Sequence, residues 1–323
     1  MNMINRSILQ ATVAAALAAI SGIAAAQTFP AKPVRIVAPF APGGGTDFIA
    51  RSAAQKLTEA LGQQFIVENR PGAGGTIGAE FGVRAPADGY TMTVIATSYT
   101  VNPGIYKLPY DPLNDITAVI QISQGPLIFA THPSLPAKTV KEFVGIARAK
   151  PDALNFATSG SGSIVHLSTE LFLDVAKIKA VHVPYKGTGP ALTDTIAGHT
   201  QFLFGSPAVT LPHVKSGRLR AIAVTTTERI KTSPELPTIA ESGYKEFSTI
   251  LWHGLIAPKN VPRAAVDRVN GALNKALQDP DMQTRLQADG VEARGGTPEQ
   301  FAAVIKADLA RWVPTARRLG IKP

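Results

Sequence analysis

The chain has 323 residues, 45% hydrophobic and 17% charged, with 28 Gly and 25 Pro. That composition belongs to a folded globular protein with enough chain for two domains, and it excludes disorder. The net charge of +9 comes from 32 Lys and Arg against 23 Asp and Glu, spread without a run of five. Small anions therefore suit it better than nucleic acid, since no basic-aromatic strand pattern is present. The absence of cysteine excludes disulfides, thiol chemistry and a lipidated N-terminal Cys.

Arg6, an alanine-rich apolar run from Ile8 to Ile23 and Ala24-Ala25-Ala26 have the pattern of a secretory signal peptide, residues 1–26, cut before Gln27. A membrane anchor is the other reading, but so much alanine over so few residues spans a bilayer poorly. An exported, soluble mature chain is expected.

Val34 to Ala38 is short, apolar and β-branched, as in a buried strand of an α/β sheet. Helical spacing starts at Ile49 and runs to Leu61. Between them lie Phe40, Ala41 and Pro42, then Gly43, Gly44 and Gly45, then Thr46 as a candidate N-cap and Asp47 in the first turn. Such a turn is either a tight connection or a place where free backbone N–H groups and the helix dipole hold an anion. The second reading strengthens if another such turn faces it.

Gln64 to Glu68 is the next strand, followed by the glycine-rich Asn69 to Thr76, a helix from Ile77 to Val83 and a strand from Thr91 to Ala96. Three strands separated by helices predict a parallel, doubly wound sheet with ligands at the strands' carboxyl ends. Hydroxyls at Thr97, Ser98 and Thr100 lie at that end of the third strand.

Val119 to Ile122 and Leu127 to Thr131 are strands broken by Gly125-Pro126, and the first passage into a second domain is placed here. A helix from Val140 to Ala149 precedes the strand Leu154 to Thr158. The loop Ser159, Gly160, Ser161, Gly162, Ser163 then opens a helix from Ile164 to Val175. This is the facing turn sought above, and His166 in its first helical turn is placed either to reach an anion or to face solvent. Side chains at Gly44 or Gly160 are expected to fill the space an anion needs.

Strands Val181 to Pro184, Gln201 to Phe204 and Leu219 to Val224 alternate with helices Ala191 to Ala197 and Val209 to Lys215. Ile250 to Ala257 returns to the first domain. Helices from Arg263 to Gln278, Pro280 to Ala288 and Pro298 to Leu319 follow, the last kinked or broken at Pro314. The expected fold is α/β with two lobes, each a doubly wound sheet with helices on both faces. Residues 27–122 and 226–323 form lobe 1 and residues 123–225 form lobe 2, joined by two crossings in a hinged clamp.

Catalytic and cofactor signatures are missing. There is no Gly-Lys phosphate loop. Phe48 and Ile77 stand where a dinucleotide fingerprint needs its third glycine. The six histidines lack metal spacing, so neither metal nor cofactor is expected. Gly160-Ser161-Gly162 lacks the hydrolase-elbow pattern, which leaves an exported esterase using Ser159 or Ser161 with a histidine as the enzymatic alternative to a binding protein. Phe40 and Trp252 are candidate apolar walls, with Trp252 the better core residue.

Several stretches recur together: Phe29-Pro30-Ala31-Lys32-Pro33, Pro39 to Asp47, Val67 to Gly75, Pro86-Ala87-Asp88-Gly89-Tyr90 and Leu108-Pro109-Tyr110-Asp111-Pro112. His132-Pro133-Ser134-Leu135-Pro136, His182 to Pro190 and Pro237 to Gly243 complete the set. With them the mature chain resembles, over essentially its whole length, the substrate-binding proteins of tripartite tricarboxylate transporters, the Bug proteins. The resemblance implies a periplasmic, non-enzymatic binding protein that hands a small carboxylate to inner-membrane transporter subunits; a separate reading, a sensor partner that reports ligand to a membrane kinase, uses the same clamp. A monomer is expected. It also implies that the loops matching Phe40 to Asp47 and Ser159 to Ser163 hold one ligand carboxylate, partly through water. Many relatives carry an acid after the strand Gln201 to Phe204, where this chain has Gly205 and Ser206. A dicarboxylate or aromatic carboxylate is therefore favoured over an amino acid.

Overall fold

The structure is a computed structural model and describes residues 29–231, 233–288 and 290–322. The expected signal peptide lies outside the described residues. Val34–Ala38 (β1) is buried except at Arg35 and pairs in parallel with Phe65–Asn69 (β2) and Thr91–Ala96 (β3). These are the three predicted parallel strands. Beyond β3 the sheet turns antiparallel: Leu251–Pro258 (β10) runs against both β3 and Ile116–Gly125 (β4), and Glu292–Ala293 (β11) closes the edge in the order β11-β4-β10-β3-β1-β2.

The second sheet is also mixed. Ile128–Thr131 (β5), Asn155–Thr158 (β6), Val181–Pro184 (β7), Phe202–Gly205 (β8) and Arg220–Val224 (β9) stand in the order β7-β6-β8-β5-β9. β6 is parallel to β7 and β8, while β5 runs against β8 and β9. The reversed strands have a topological reason. A strand that carries the chain out of one lobe ends at the cleft, and a strand that receives it begins there, so the connecting strands oppose each other. The result is two open mixed sheets with flanking helices, a two-lobed α/β fold.

The helices are Gly45–Leu61 (α1), Thr76–Val83 (α2), Ser98–Val101 (α3), Val140–Ala149 (α4), Ile164–Ala176 (α5), Thr188–Ile196 (α6), Pro207–Lys215 (α7), Arg263–Leu277 (α8), Pro280–Ala288 (α9) and Pro298–Arg318 (α10). Three begin earlier than apolar spacing alone predicts. α1 starts four residues before Ile49 with Gly44, not Thr46, as N-cap, and α6 starts at Thr188 behind Gly187. α7 starts at Pro207, whose fixed φ suits the first helical position. The extra turns bring the glycine and serine loops onto helix N-termini.

β4 runs on to Gly125, so a division at 122/123 falls inside a strand. Residues 226–249 also behave differently from expectation. Ile239 and Phe247 pack into the second sheet's core, and Val224 bridges Thr238. α10 passes between lobes. It begins with a Thr297–Gln300 capping box, seats Phe301 under Trp252, and ends with Trp312 and Ala316 in the second core. It stays helical through Pro314, because the buried Trp312 and Ala316 hold the chain on both sides of the missing N–H.

The second core centres on Phe129, whose ring meets Phe143, Phe172 and Phe204 edge-on, with centroids 4.9, 5.2 and 4.8 Å away. Phe129→Ala should lower unfolding stability by about 3–5 kcal/mol, read from the urea midpoint. A loss below about 1 kcal/mol would place the stabilising contacts elsewhere.

Candidate functional site

The loop after β1 is braced by Asp47. Its Oδ2 accepts from Gly43 N at 3.1 Å and Arg51 Nε at 3.0 Å, and its Oδ1 accepts from Asn69 Nδ2 at 2.8 Å. Asn69 Nδ2 also donates to Phe40 O at 3.0 Å. Burial alone pushes the Asp47 carboxyl up, but the bonds from Arg51, Asn69 and Gly43 outweigh it and hold the pKa below the ordinary range. Asp47 therefore spends its charge on loop shape. Gly44 caps α1 with extended backbone and no side-chain bond, leaving the first-turn N–H groups free of side-chain caps.

In the second lobe Ser159 to Ser163 link β6 to α5. Ser163 Oγ accepts from His166 N at 3.2 Å, and Gly162 N donates to His166 Nδ1 at 3.3 Å. The His166 ring stacks on His182 with centroids 3.8 Å apart and lies 3.5 Å from Glu170. His166 thus fastens the loop from behind, buried and not facing solvent, and its ring is not among the cavity's lining residues. Burial, with His166 beside it, lowers the His182 pKa to about 3. α7 is capped at Ser206 with no side-chain bond, and Ser206 Oγ is buried without a partner.

The lobes meet. Ala41 N donates to Lys186 O at 3.0 Å, and Tyr106 Oη donates to Ser161 O at 2.9 Å. Between them lies a cavity of ≈ 20 Å³, room for about one or two waters. Of the expected residues, Phe40, Gly44, Gly45, Thr46, Ser98, Ser159, Ser163 and Ser206 line it. Ala41, Pro42, Gly43, Asp47, Gly160, Ser161, Gly162, His166 and Gly205 do not; they shape the loops around it.

At the cavity wall Gly45 is a close approach, since a Cβ there would lie 2.6 Å from Ser206 Oγ of the other lobe. At Gly44 the nearest atoms are 3.7 Å away, and at Gly160, where φ is +120°, a Cβ would point at Tyr185 O and Gly74. A side chain at Gly160 is therefore strained by its backbone conformation and presses on Tyr185 O, and it does not fill the cavity.

Sequence reasoning missed Thr188, in the first turn of α6, and His253, in the middle of β10. His253 read as one of six scattered histidines, and only the pairing of β10 with β3 brings it to the cavity. Ala96, Leu127, Ile164, Val165 and Leu251 add apolar surface, and no Asp, Glu, Lys or Arg is among the lining residues. Trp252 is core, donating to Asp308 at 2.6 Å. Among the described residues no group of His, Cys, Asp or Glu could hold a metal, and neither Ser159 nor Ser161 has a histidine hydrogen-bonded to its hydroxyl. No helix among the described residues is long and apolar enough to cross a membrane.

Residues 49–321 match the family described as tripartite tricarboxylate transporter family receptor. The chain belongs to that family. The receptor is 35% identical to protein BugT of Bordetella pertussis, over 94% of this chain and 95% of BugT. Its fold matches Rpa4515 of R. palustris, solved with adipate, with TM-score 0.88 and 34% identity over 91% of this chain and 100% of that one. It also matches MatC of Rhodopseudomonas palustris, solved with bound malate, with TM-score 0.84 and 31% identity over 89% and 100%.

Burial lowers the pKa of His253 to about 3. Like His182, it is neutral when folded but takes up a proton when unfolded below about pH 6.5. Between those values the unfolded chain binds more protons, so the two histidines reduce the receptor's stability as pH falls from about 6.5 toward 3. Melting temperatures of the receptor and of His182→Gln, compared at about pH 7.5 and 5, should show a smaller acid drop in the variant. Equal drops would mean that His182 stays exposed to protonation in the fold.

Proposed function

We propose that this receptor is a periplasmic solute-binding protein, without catalytic activity, that closes on a small dicarboxylate or aromatic carboxylate and delivers it to tripartite tricarboxylate-type membrane subunits. The observation that carries this reading is the Ser206 hydroxyl. It is buried and unpartnered, and it lies at the uncapped N-terminus of α7 beside Gly45 at the N-terminus of α1. A buried donor without an acceptor is costly, and a carboxylate oxygen between two helix N-termini would satisfy it. Adipate and malate in the two related structures are of the same chemical class.

Phe40, Gly44, Gly45, Thr46, Ser98, Ser159, Ser163 and Ser206 are the proposed contacts, with Ala41, Pro42, Gly43, Asp47, Gly160, Ser161, Gly162, His166 and Gly205 holding the loops. The lobes we propose are the two sheets, with crossings at 126–127, 225–250 and along α10. A cavity of ≈ 20 Å³ admits no dicarboxylate, so capture requires the lobes to part first.

Calorimetry with adipate, malate, benzoate, aspartate and glutamate should find binding among the first three. Ser206→Ala should weaken it about tenfold or more, and Gly45→Val should abolish it with the fold intact. Tight binding of aspartate or glutamate alone would refute the ligand class. Small-angle scattering should show a smaller radius of gyration with the tightest of these ligands at saturation. An unchanged radius would mean a cleft that stays closed.

A further inference from the structure

Thr46, His253 and Ser123 come from three separate elements and meet inside the closed receptor. His253, 2% exposed on β10, is the one titratable side chain among the described residues that lines the cavity. Its Nδ1 lies 3.2 Å from Ser123 Oγ on β4, the residue it faces in the strand register, and its Nε2 lies 3.3 Å from Thr46 Oγ1 in the first turn of α1. The ring is deeply buried and neutral, so only one of its nitrogens carries hydrogen.

The two tautomers have opposite consequences. With hydrogen on Nδ1, the ring donates to Ser123 and takes the Thr46 hydroxyl hydrogen at Nε2, and Thr46 then offers only lone pairs to the cavity. With hydrogen on Nε2, Ser123 O–H donates to Nδ1, the ring donates to Thr46 Oγ1, and the Thr46 hydroxyl hydrogen is free to turn into the cavity. Ser123 decides between them. It is 0% exposed, and no acceptor other than His253 Nδ1 lies within hydrogen-bonding distance of its hydroxyl among the described residues. The Nδ1–H form would strand that buried hydroxyl hydrogen, whereas Thr46, 8% exposed at the cavity wall, has somewhere to send its own.

We infer that Ser123, His253 and Thr46 form a one-way hydrogen-bond chain, Ser123 O–H to Nδ1 and Nε2–H to Thr46 Oγ1, which makes Thr46 a donor to the ligand carboxylate. His253 is a positioning residue for the binding step. The inference rests on the carboxylate reading given above for what the Thr46 hydroxyl meets. The orientation of the chain is a property of the ligand-free protein.

Two measurements test it. Long-range ¹H–¹⁵N correlation spectra of the ligand-free receptor labelled in histidine, with the His253 signals identified by their loss in His253→Gln, should show a protonated Nε2 and a bare Nδ1 from about pH 5 to 8. A protonated Nδ1 overturns the inference and leaves the carboxylate reading standing. Calorimetry with adipate and malate should then separate the variants. His253→Gln places an amide N–H near Nε2 and should keep affinity within about threefold. His253→Leu should lose about tenfold to a hundredfold, and should lose nothing further in a Thr46→Val background. Equal losses in both backgrounds would reduce His253 to a packing residue and sink the chain. If His253→Leu fails to fold, the tautomer of the unmutated ring decides. If neither acid binds the unmutated receptor, benzoate takes their place in the comparison; if benzoate also fails, the carboxylate reading fails and the tautomer alone decides the orientation.

Discussion

Four helices, α1, α5, α6 and α7, bring their N-termini to one small enclosed space. Each end presents backbone N–H groups that the helix cannot satisfy. Three lack side-chain caps, and the fourth, α5, spends Ser163 on His166 N. Much of the local sequence follows from that requirement. Gly44 and Gly187 cap without side chains, Pro207 begins α7 where an N–H is dispensable, and Gly45 leaves room for Ser206. No cationic side chain lines the space. Positive potential made from oriented peptides avoids the desolvation that a buried Lys or Arg would carry when the cleft is empty.

The same space fixes how the lobes are joined. α1 belongs to one sheet and α5, α6 and α7 to the other, so the donors converge only when Ala41 bonds Lys186 and Tyr106 bonds Ser161. The antiparallel strands β4, β10, β5 and β9 are the ones whose ends meet the cleft as the chain crosses it. α10 adds a third strut, with Phe301 in one core and Trp312 in the other. Its one interior residue without an N–H, Pro314, lies next to the second anchorage. The proposed parting of the lobes would therefore have to bend or slide this helix as well as turn the two strand connections.

Most of the elements were legible because apolar runs and helical periodicity are local properties. The β2-β1-β3 parallel core followed from strand and helix alternation alone. The antiparallel strands were not legible, since strand direction in a two-lobed chain depends on where the chain crosses. Helix starts were misjudged at α1, α6 and α7 because apolar spacing is silent about a first turn made of Gly, Thr and Pro. Among the residues lining the cavity, Thr46 was singled out from its place after a glycine turn, and Ser206 from its place after Phe204, where many relatives carry an acid. Asp47 and His166 were found from their places beside glycine turns, yet both face the loops they brace. His253 carried no local signal, because its neighbours Thr46 and Ser123 are 207 and 130 residues away in sequence.

If the cavity holds the proposed carboxylate, a lining of N–H and O–H donors, a neutral imidazole and aliphatic surface would discriminate by what it lacks. An ammonium group brought into it would shed its water and meet no carboxylate, since Asp47 is committed to Gly43, Arg51 and Asn69. An unpaired buried charge costs several kcal/mol. A second carboxylate faces a milder problem, because another helix terminus or hydroxyl lies within the same wall. On the carboxylate reading proposed above, the lack of an acid after Phe204 would act through the balance of donors and acceptors around the cavity: an amine would lose a counterion, while an anion would gain the Ser206 hydroxyl.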